Sequence, residues 1–179
     1  MNLYILRHAS AGTRRPNPLL DVKRPLDKEG KQHCLHLAHV LNALNTNFDL
    51  VVSSPLKRAL QTAQLVATET GYETKVLHSK ALAPEATFED FKALLAQANG
   101  RDNVLVVGHS PNIQVFLGSL LISPQSGPAI PQIRLRKGTL ARVTLSRGPA
   151  VLQSVIDPRT VSALYATSTK SSLRKTSRK

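Results

Sequence analysis

The chain has few aromatic residues, one cysteine and no long hydrophobic run, and each shortage excludes a class of protein. Only 4% of its 179 residues are aromatic and none is tryptophan, which argues against a surface on which single-stranded nucleic acid stacks its bases. The single cysteine, Cys34, excludes an intramolecular disulfide and a cysteine-rich zinc site. No apolar stretch approaches the roughly 20 residues of a membrane-spanning helix.

The remaining composition is typical of one globular domain. Apolar residues make up 41% of the chain, enough for an aliphatic core at this length. The N-terminus becomes charged at Arg7, too early for a secretory signal. We therefore expect a cytoplasmic protein that does not span a membrane.

Acidic residues are scarce in the last third of the chain. Residues 1–126 hold 13 Lys and Arg against 10 Asp and Glu, whereas residues 127–179 hold 11 against Asp157 alone. Residues 167–179 carry five cations, no anion and almost nothing apolar, so burial cannot offset the entropy lost on ordering them.

The charge distribution predicts a domain over residues 1–160 and a flexible basic tail over residues 161–179. Such a tail either binds an anionic surface or only keeps the protein soluble, and the sequence leaves both interpretations open. No dedicated nucleic-acid-binding motif accompanies it.

Apolar runs alternate with amphipathic segments, which predicts a mostly parallel sheet with helices on both faces, a three-layer α/β sandwich. A closing hairpin adds antiparallel strands at an edge, where Pro149 is tolerated. Asp27 and Thr87 are predicted N-caps, and Pro55 is predicted at the first position of its helix. The predicted strands are 2–7, 48–53, 74–78, 103–108, 139–145 and 150–156, the helices are 27–44, 54–70, 87–98 and 110–121, and the loops are 9–25 and 123–131.

Polar residues follow three of these strands at the point where each strand ends. Arg7 and His8 end the first strand, Ser53-Ser54-Pro55 ends the second with Arg58 in the next helical turn, and His109 follows the fourth. Because the carboxyl ends of parallel strands meet at one edge, these groups are expected to share a crevice. Arginine forks suit phosphoryl oxygens and a neutral imidazole can attack phosphorus, so a phosphoryl-binding site is predicted.

Histidines elsewhere favour a simpler interpretation. A lone histidine at a strand end is usually structural, and only the coincidence of His8 and His109 with two arginines indicates chemistry. The other cluster, on the helix over 27–44, fits surface histidines better than a metal site, because no carboxylate completes the set. The residues of this helix cluster are His33, Cys34, His36 and His39. No metal or cofactor is expected.

These motifs resemble the histidine phosphatase superfamily, also called the phosphoglycerate mutase-like fold. The matching segments are Leu6-Arg7-His8-Ala9, residues 53–63, and Val107-Gly108-His109-Ser110-Pro111. Ala9 stands where the family motif has glycine. The short chain and Lys23-Arg24-Pro25-Leu26 resemble the SixA-type phosphohistidine phosphatases in particular.

The resemblance implies that His8 is a nucleophile that becomes transiently phosphorylated. Arg7, Arg58 and His109 would hold the phosphoryl oxygens, and Arg24 would be a further basic residue reaching in from the loop. By its order along the chain, Glu85 is the candidate general acid.

The resulting functional prediction is a phosphatase that acts on phosphohistidine of an acidic partner protein. Three alternatives stay open: a phosphatase of a small ester such as a sugar phosphate or nucleotide, a mutase, and a non-catalytic anion-binding module.

Overall fold

A computed structural model of the chain describes residues 1–122 and 130–176, with side chains as far as Thr167. The strands are β1 (Asn2–Arg7), β2 (Leu50–Ser53), β3 (Leu77–His78), β4 (Asn103–Gly108), β5 (Leu140–Thr144) and β6 (Val151–Ile156). The helices are α1 (Pro18–Val22), α2 (Lys28–Ala43), α3 (Lys57–Glu69), α4 (Phe88–Gln97), α5 (Asn112–Leu120) and α6 (Pro158–Thr176), and Lys80–Leu82 forms a 3-10 helix.

The six strands form one sheet in the order β3-β2-β4-β1-β5-β6. The first four in this order are mutually parallel, and β5 and β6 are antiparallel at one edge. The pairing of Arg7 with Gly108 and of Ser53 with Val107 brings the ends of β1, β2 and β4 level. The predicted parallel sheet with an antiparallel hairpin is confirmed.

Each face of the sheet has its own hydrophobic core. Leu3 and Ile5 of β1 pack with α4 and α5, whereas Tyr4 and Leu6 pack with α2 and α3. The alternation follows from the strand's two-residue period, and it makes the protein a three-layer sandwich, as predicted. Among the described residues, no helix is both long and apolar enough to cross a membrane.

Of the four predicted helix starts, those at Asp27 and Thr87 are confirmed, and α5 begins at Asn112, two residues later than predicted. The Asp27 carboxylate accepts from the Gly30 amide at 2.7 Å, and Thr87 forms a capping box with Asp90. The predicted start at Pro55 is wrong, because α3 begins at Lys57 after an extended Leu56. No side chain caps α3, so its N-terminal amides stay available at the sheet edge.

The predicted loop over 9–25 contains a helix of its own. Asn17 accepts from the Leu19 amide at 3.0 Å and Pro18 occupies the first helical position of α1, a start signal that the sequence carries. Most of the other predicted loop, residues 123–129, lies outside the described residues.

Helix α6 continues across the predicted boundary at residue 160. Val161 is buried, and the Tyr165 ring stacks on His36 of α2 with 4.2 Å between ring centroids. The beginning of the segment assigned to the tail therefore packs on the domain. Flexibility of the more distal basic residues stays a prediction.

Candidate active site

An open crevice of about 1290 Å³ lies where β1, β2 and β4 end. Strand β1 brings Arg7 and, one residue on, His8; β4 is followed by His109; α3 contributes Arg58 from its first turn. All six residues that the sequence predicted line this crevice, namely Arg7, His8, Arg24, Arg58, Glu85 and His109.

The His8 ring has a defined tautomer. Its Nδ1 lies 2.8 Å from the Ala9 carbonyl oxygen, which can only accept, so Nδ1 carries the proton and Nε2 keeps a free lone pair. Burial, and then the positive charges of Arg58 and Arg7, lower the pKa of His8 to about 3, against the opposing effect of the Ala9 hydrogen bond. The imidazole is therefore neutral near pH 7.

The backbone around His8 is tied to two other elements. The His8 amide donates to the Gly108 carbonyl at 3.1 Å, and the Ala9 amide donates to the Thr62 hydroxyl of α3 at 3.1 Å. Ala9 is fully buried in the core on the α2–α3 face. The methyl group that replaces the family's glycine is thus packed in the core.

The His109 ring lies beside His8, with 5.0 Å between ring centroids. Its Nε2 is 2.8 Å from the Ser54 hydroxyl, while its buried Nδ1 has no partner in the described residues. If Ser54 donates to Nε2, the proton of His109 sits on Nδ1, where it can be donated to an oxyanion. Burial, and next the neighbouring His8, lower the pKa of His109 to about 2. Ser54 was not predicted in this role.

Arg58 is 7% exposed and only part of its guanidinium is engaged. One amino nitrogen donates to the Asp21 backbone oxygen at 3.1 Å and lies 3.4 Å from its carboxylate. The buried Nε has no partner among the described residues. Arg58 is therefore oriented by Asp21 while retaining donors for an anion.

Asp21 adds a carboxylate to the lining of the crevice. The Arg15 amide, and next the Arg24 side chain, lower the pKa of Asp21 to about 2. Arg24 donates to Asp21 at 2.8 Å and to the Gly12 carbonyl at 2.7 Å. Two donors of Arg24, which was predicted to reach into the site, therefore hold the wall of the crevice together.

Arg7 and Glu85 complete the predicted set that lines the crevice. Arg7 donates to the Leu135 carbonyl at 2.8 Å, and its buried Nε has no partner in the described chain. Burial lowers the pKa of Arg7, yet a guanidinium stays charged. Glu85 is exposed on the rim, and no hydrogen bond or ion pair holds its side chain within the described residues.

The histidines of α2 do not form part of this site. His36 stacks on Tyr165, and His33 lies 3.8 Å from Glu29. Burial raises the pKa of the Cys34 thiol to about 12. In the part of the chain that the structure describes, no three His, Cys, Asp or Glu side chains are grouped to hold a metal ion.

The crevice combines a neutral imidazole with an open lone pair, a second imidazole and two partly free guanidinium groups. Such a set can bind a tetrahedral oxyanion and offer it a nitrogen nucleophile. The geometry is that of a phosphoryl-transfer site.

Known proteins are similar to this chain in sequence and in fold. The sequence model of one protein family, the histidine phosphatase superfamily (branch 1), matches residues 3–92, half of the chain. An uncharacterised protein of Picosynechococcus sp. is 34% identical over 116 residues, which cover 63% of this chain and 68% of that protein.

Solved structures show the same fold at lower identity. The protein histidine phosphatase SixA complexed with tungstate has a TM-score of 0.77 at 24% identity, covering 90% of this chain and 99% of that one. The α-ribazole phosphatase of Shigella flexneri has a TM-score of 0.70 at 18% identity, covering 88% and 97%. A mycobacterial glucosyl-3-phosphoglycerate phosphatase has a TM-score of 0.64 at 20% identity, covering 85% and 96%. The chain belongs to the histidine phosphatase superfamily.

Proposed function

We propose that this protein is a phosphatase that removes the phosphoryl group from phosphohistidine of an acidic partner protein through a phospho-His8 intermediate. The observation that carries the proposal is the hydrogen bond from His8 Nδ1 to the Ala9 carbonyl. It leaves the Nε2 lone pair as the nucleophile, and burial keeps the ring neutral.

In the first step, Nε2 of His8 attacks phosphorus and a new N–P bond forms. The bond from phosphorus to the substrate's imidazole nitrogen breaks and its electron pair returns to that nitrogen. Because the other ring nitrogen of the substrate carries a proton, the leaving group is a neutral imidazole. Negative charge on the equatorial oxygens is stabilised by Arg58, Arg7 and the Nδ1–H of His109.

In the second step, a water molecule attacks the phosphorus of phospho-His8. An O–P bond forms, the N–P bond breaks with its electron pair returning to Nε2, and one proton of the water passes to a phosphoryl oxygen. Inorganic phosphate leaves and the neutral imidazole is restored. The same oxyanion contacts serve both steps.

The leaving group explains why a loosely held acid suffices. An imidazole can be protonated near neutral pH, so phosphohistidine needs less proton donation than an ester does. We assign Glu85, exposed on the rim, as the proton donor when the leaving group is an alkoxide.

An acidic protein substrate fits the charge and shape of the site. The crevice is open, so a side chain on a protein surface can enter, and the chain has a net charge of +13. The second candidate is a small phosphate ester, since the fold is shared with an α-ribazole phosphatase and a glucosyl-3-phosphoglycerate phosphatase.

The nucleophile is tested by trapping. Brief incubation with ³²P-labelled substrate followed by denaturation in alkali should leave label on wild-type protein that is stable in base and lost in acid. His8→Ala should carry none and lose at least about a thousandfold in kcat. Base-stable label on H8A, or full turnover by it, would contradict the mechanism.

Substrate choice is tested by kcat/KM for phosphohistidine proteins against sugar phosphates and nucleotides. We expect the larger value for phosphohistidine. A binding module without catalysis would instead show no turnover, and its affinity for phosphate compounds would survive in His8→Ala.

A further inference from the structure

A second cavity adjoins the crevice on the side of β5. This side pocket has a volume of about 370 Å³ and lies between the start of α2, residues 134–137 and the start of α6. Arg7 and Lys137 line both the side pocket and the crevice. A molecule whose phosphoryl group lies beside His8 therefore has the side pocket within reach.

The side pocket is strongly basic. Its lining holds a single carboxylate, that of Glu29, and five cations: Arg7, Arg134, Arg136, Lys137 and Arg159. Arg136 is paired, with its Nε 3.5 Å from Asp157. Arg134 and Arg159 are exposed, and their side chains have no hydrogen bond or ion pair within the described residues. Clustered cations repel one another, and a bound anion relieves that repulsion.

The walls of the side pocket are anchored to the catalytic strand. The Gly138 amide lies 3.0 Å from the Arg7 carbonyl and 3.1 Å from that of His8. Arg7 in turn donates to the Leu135 carbonyl at 2.8 Å. Gly138 has a φ of +79° and packs against Pro158 and His33, a conformation that side chains disfavour. The cations are thus carried on backbone whose position is set by β1.

Two buried polar atoms on the lining residues lack partners in the described chain, Nε of Arg7 and Nδ1 of His33. Buried polar groups are normally satisfied, so such atoms indicate a place for a bound polar group. Arg7 also lines the crevice, so the two cavities share this residue.

We propose that the side pocket binds a carboxylate of the substrate polypeptide, from an acidic residue near the phosphohistidine, and so selects substrates by a second anionic group. The inference rests on the proposed function for the position of the phosphoryl group. Successive residues of an extended chain advance about 3.5 Å, so an acidic side chain within three residues of the phosphohistidine spans the neighbouring cavities.

The test compares phosphohistidine peptides that carry Glu or Gln at each position within three residues of the phosphorylated histidine. For wild type we expect kcat/KM to be about tenfold higher for Glu at the best position. The preference should shrink as ionic strength rises, because the pair is exposed to solvent. No preference at any position would overturn the proposal.

The variant Arg134→Gln/Arg159→Gln should bring the Glu-to-Gln ratio close to one. Its matched control, Arg101→Gln/Arg147→Gln, removes two exposed cations at the end of the strands that is away from the crevice. This control should keep the wild-type ratio. Preservation of the ratio in R134Q/R159Q would overturn the proposal, as would its loss in both variants. The wild-type measurement stands even if a variant folds poorly.

A second pair of substrates separates this inference from the proposed function. 3-Carboxyphenyl phosphate and phenyl phosphate differ by one carboxylate and present similar leaving groups. If the peptides are not hydrolysed but the carboxylated ester is preferred, the side pocket binds a carboxylate and the phosphohistidine substrate is wrong. If the peptides are hydrolysed at equal rates, the proposed function stands and the side pocket plays no part in it.

Discussion

The backbone of the next residue makes the His8 imidazole reactive. The hydrogen bond from Nδ1 to the Ala9 carbonyl spans one residue, so any conformation that places the strand end correctly also selects the tautomer. Burial then keeps the ring unprotonated. A nucleophile and its activation are thus produced without a separate base.

The same burial makes folding depend on pH. In the unfolded chain a histidine titrates at about 6.5, whereas the pKa of His8 in the folded protein is about 3. The unfolded state therefore binds more protons below pH 6.5, and the free energy of unfolding falls as pH is lowered toward 3. At pH 5 the loss from His8 is about 2 kcal/mol, and the full contribution is present above pH 6.5.

Urea unfolding between pH 7 and pH 4.5 measures this effect. His8→Gln should flatten the decline in unfolding free energy by about 2 kcal/mol at pH 5. His78→Gln, which removes an exposed histidine on β3, should leave the wild-type slope. An equal slope in wild type and H8Q would mean that the folded protein accepts the proton freely.

Residues at strand ends could be predicted, whereas their supporting partners could not. Arg7, His8 and His109 follow directly from the positions of β1 and β4. Asp21 and Ser54 act through contacts 37 and 55 residues away along the chain, and no local pattern reports such distances. Arg24 lines the crevice, as the sequence predicts, but its nitrogen atoms donate to Asp21 and Gly12.

At the scale of elements, the approach of α2 to the loop after β1 holds the site in place. Ser10 donates to the Asp27 carboxylate at 2.7 Å, and Asp27 is also the residue that caps α2. Gly30, in the first turn, faces the Ser10 backbone so closely that a Cβ there would overlap the Ser10 carbonyl. The helix can pack in this way only without a side chain at residue 30.

Gly30→Ala is therefore expected to destabilise the protein. Alanine favours a helix over glycine by about 1 kcal/mol, but displacing the Ser10 backbone costs about 1–3 kcal/mol. Because residues 8–10 are contiguous, kcat should fall as well. Unfolding free energy and kcat are to be compared with those of Gly148→Ala, where an added Cβ meets nothing within 4 Å.

An unfolding free energy of G30A equal to or above the wild-type value would show that the loop after β1 moves without an energetic cost.

Helices could be predicted from the sequence where a capping residue and the apolar period agreed, as in α2 and α4. The start of α3 could not, because Ser54 bonds to His109 at the end of the neighbouring strand β4 and Leu56 stays extended. The preference of proline for the first helical position does not take that tertiary contact into account.

At the scale of the whole molecule, topology brings four cations of the basic C-terminal part of the chain to the catalytic end of the sheet. Leu140 of β5 pairs with Leu6 of β1 and with Ile156 of β6, so both open ends of the hairpin lie beside Arg7. Four cations near those ends line the side pocket beside the crevice, namely Arg134, Arg136, Lys137 and Arg159. Sequence composition shows the excess of cations after residue 126, and the antiparallel pairing decides where these four lie.

The excess of cations in the C-terminal part of the sequence predicts that the basic tail attracts acidic protein substrates electrostatically. Replacing its five cations with glutamine (Lys170, Arg174, Lys175, Arg178 and Lys179) lowers the net charge from +13 to +8 without shortening the chain. At low ionic strength kcat/KM for an acidic phosphohistidine protein should fall by about tenfold, because steering raises the association rate. At about 0.5 M salt, where charges are screened beyond a few ångströms, variant and wild type should converge. Phenyl phosphate, a small substrate that gains little from long-range attraction, should show a much smaller change. An equal loss on both substrates, persisting in salt, would mean that the tail acts on the site itself rather than on the encounter.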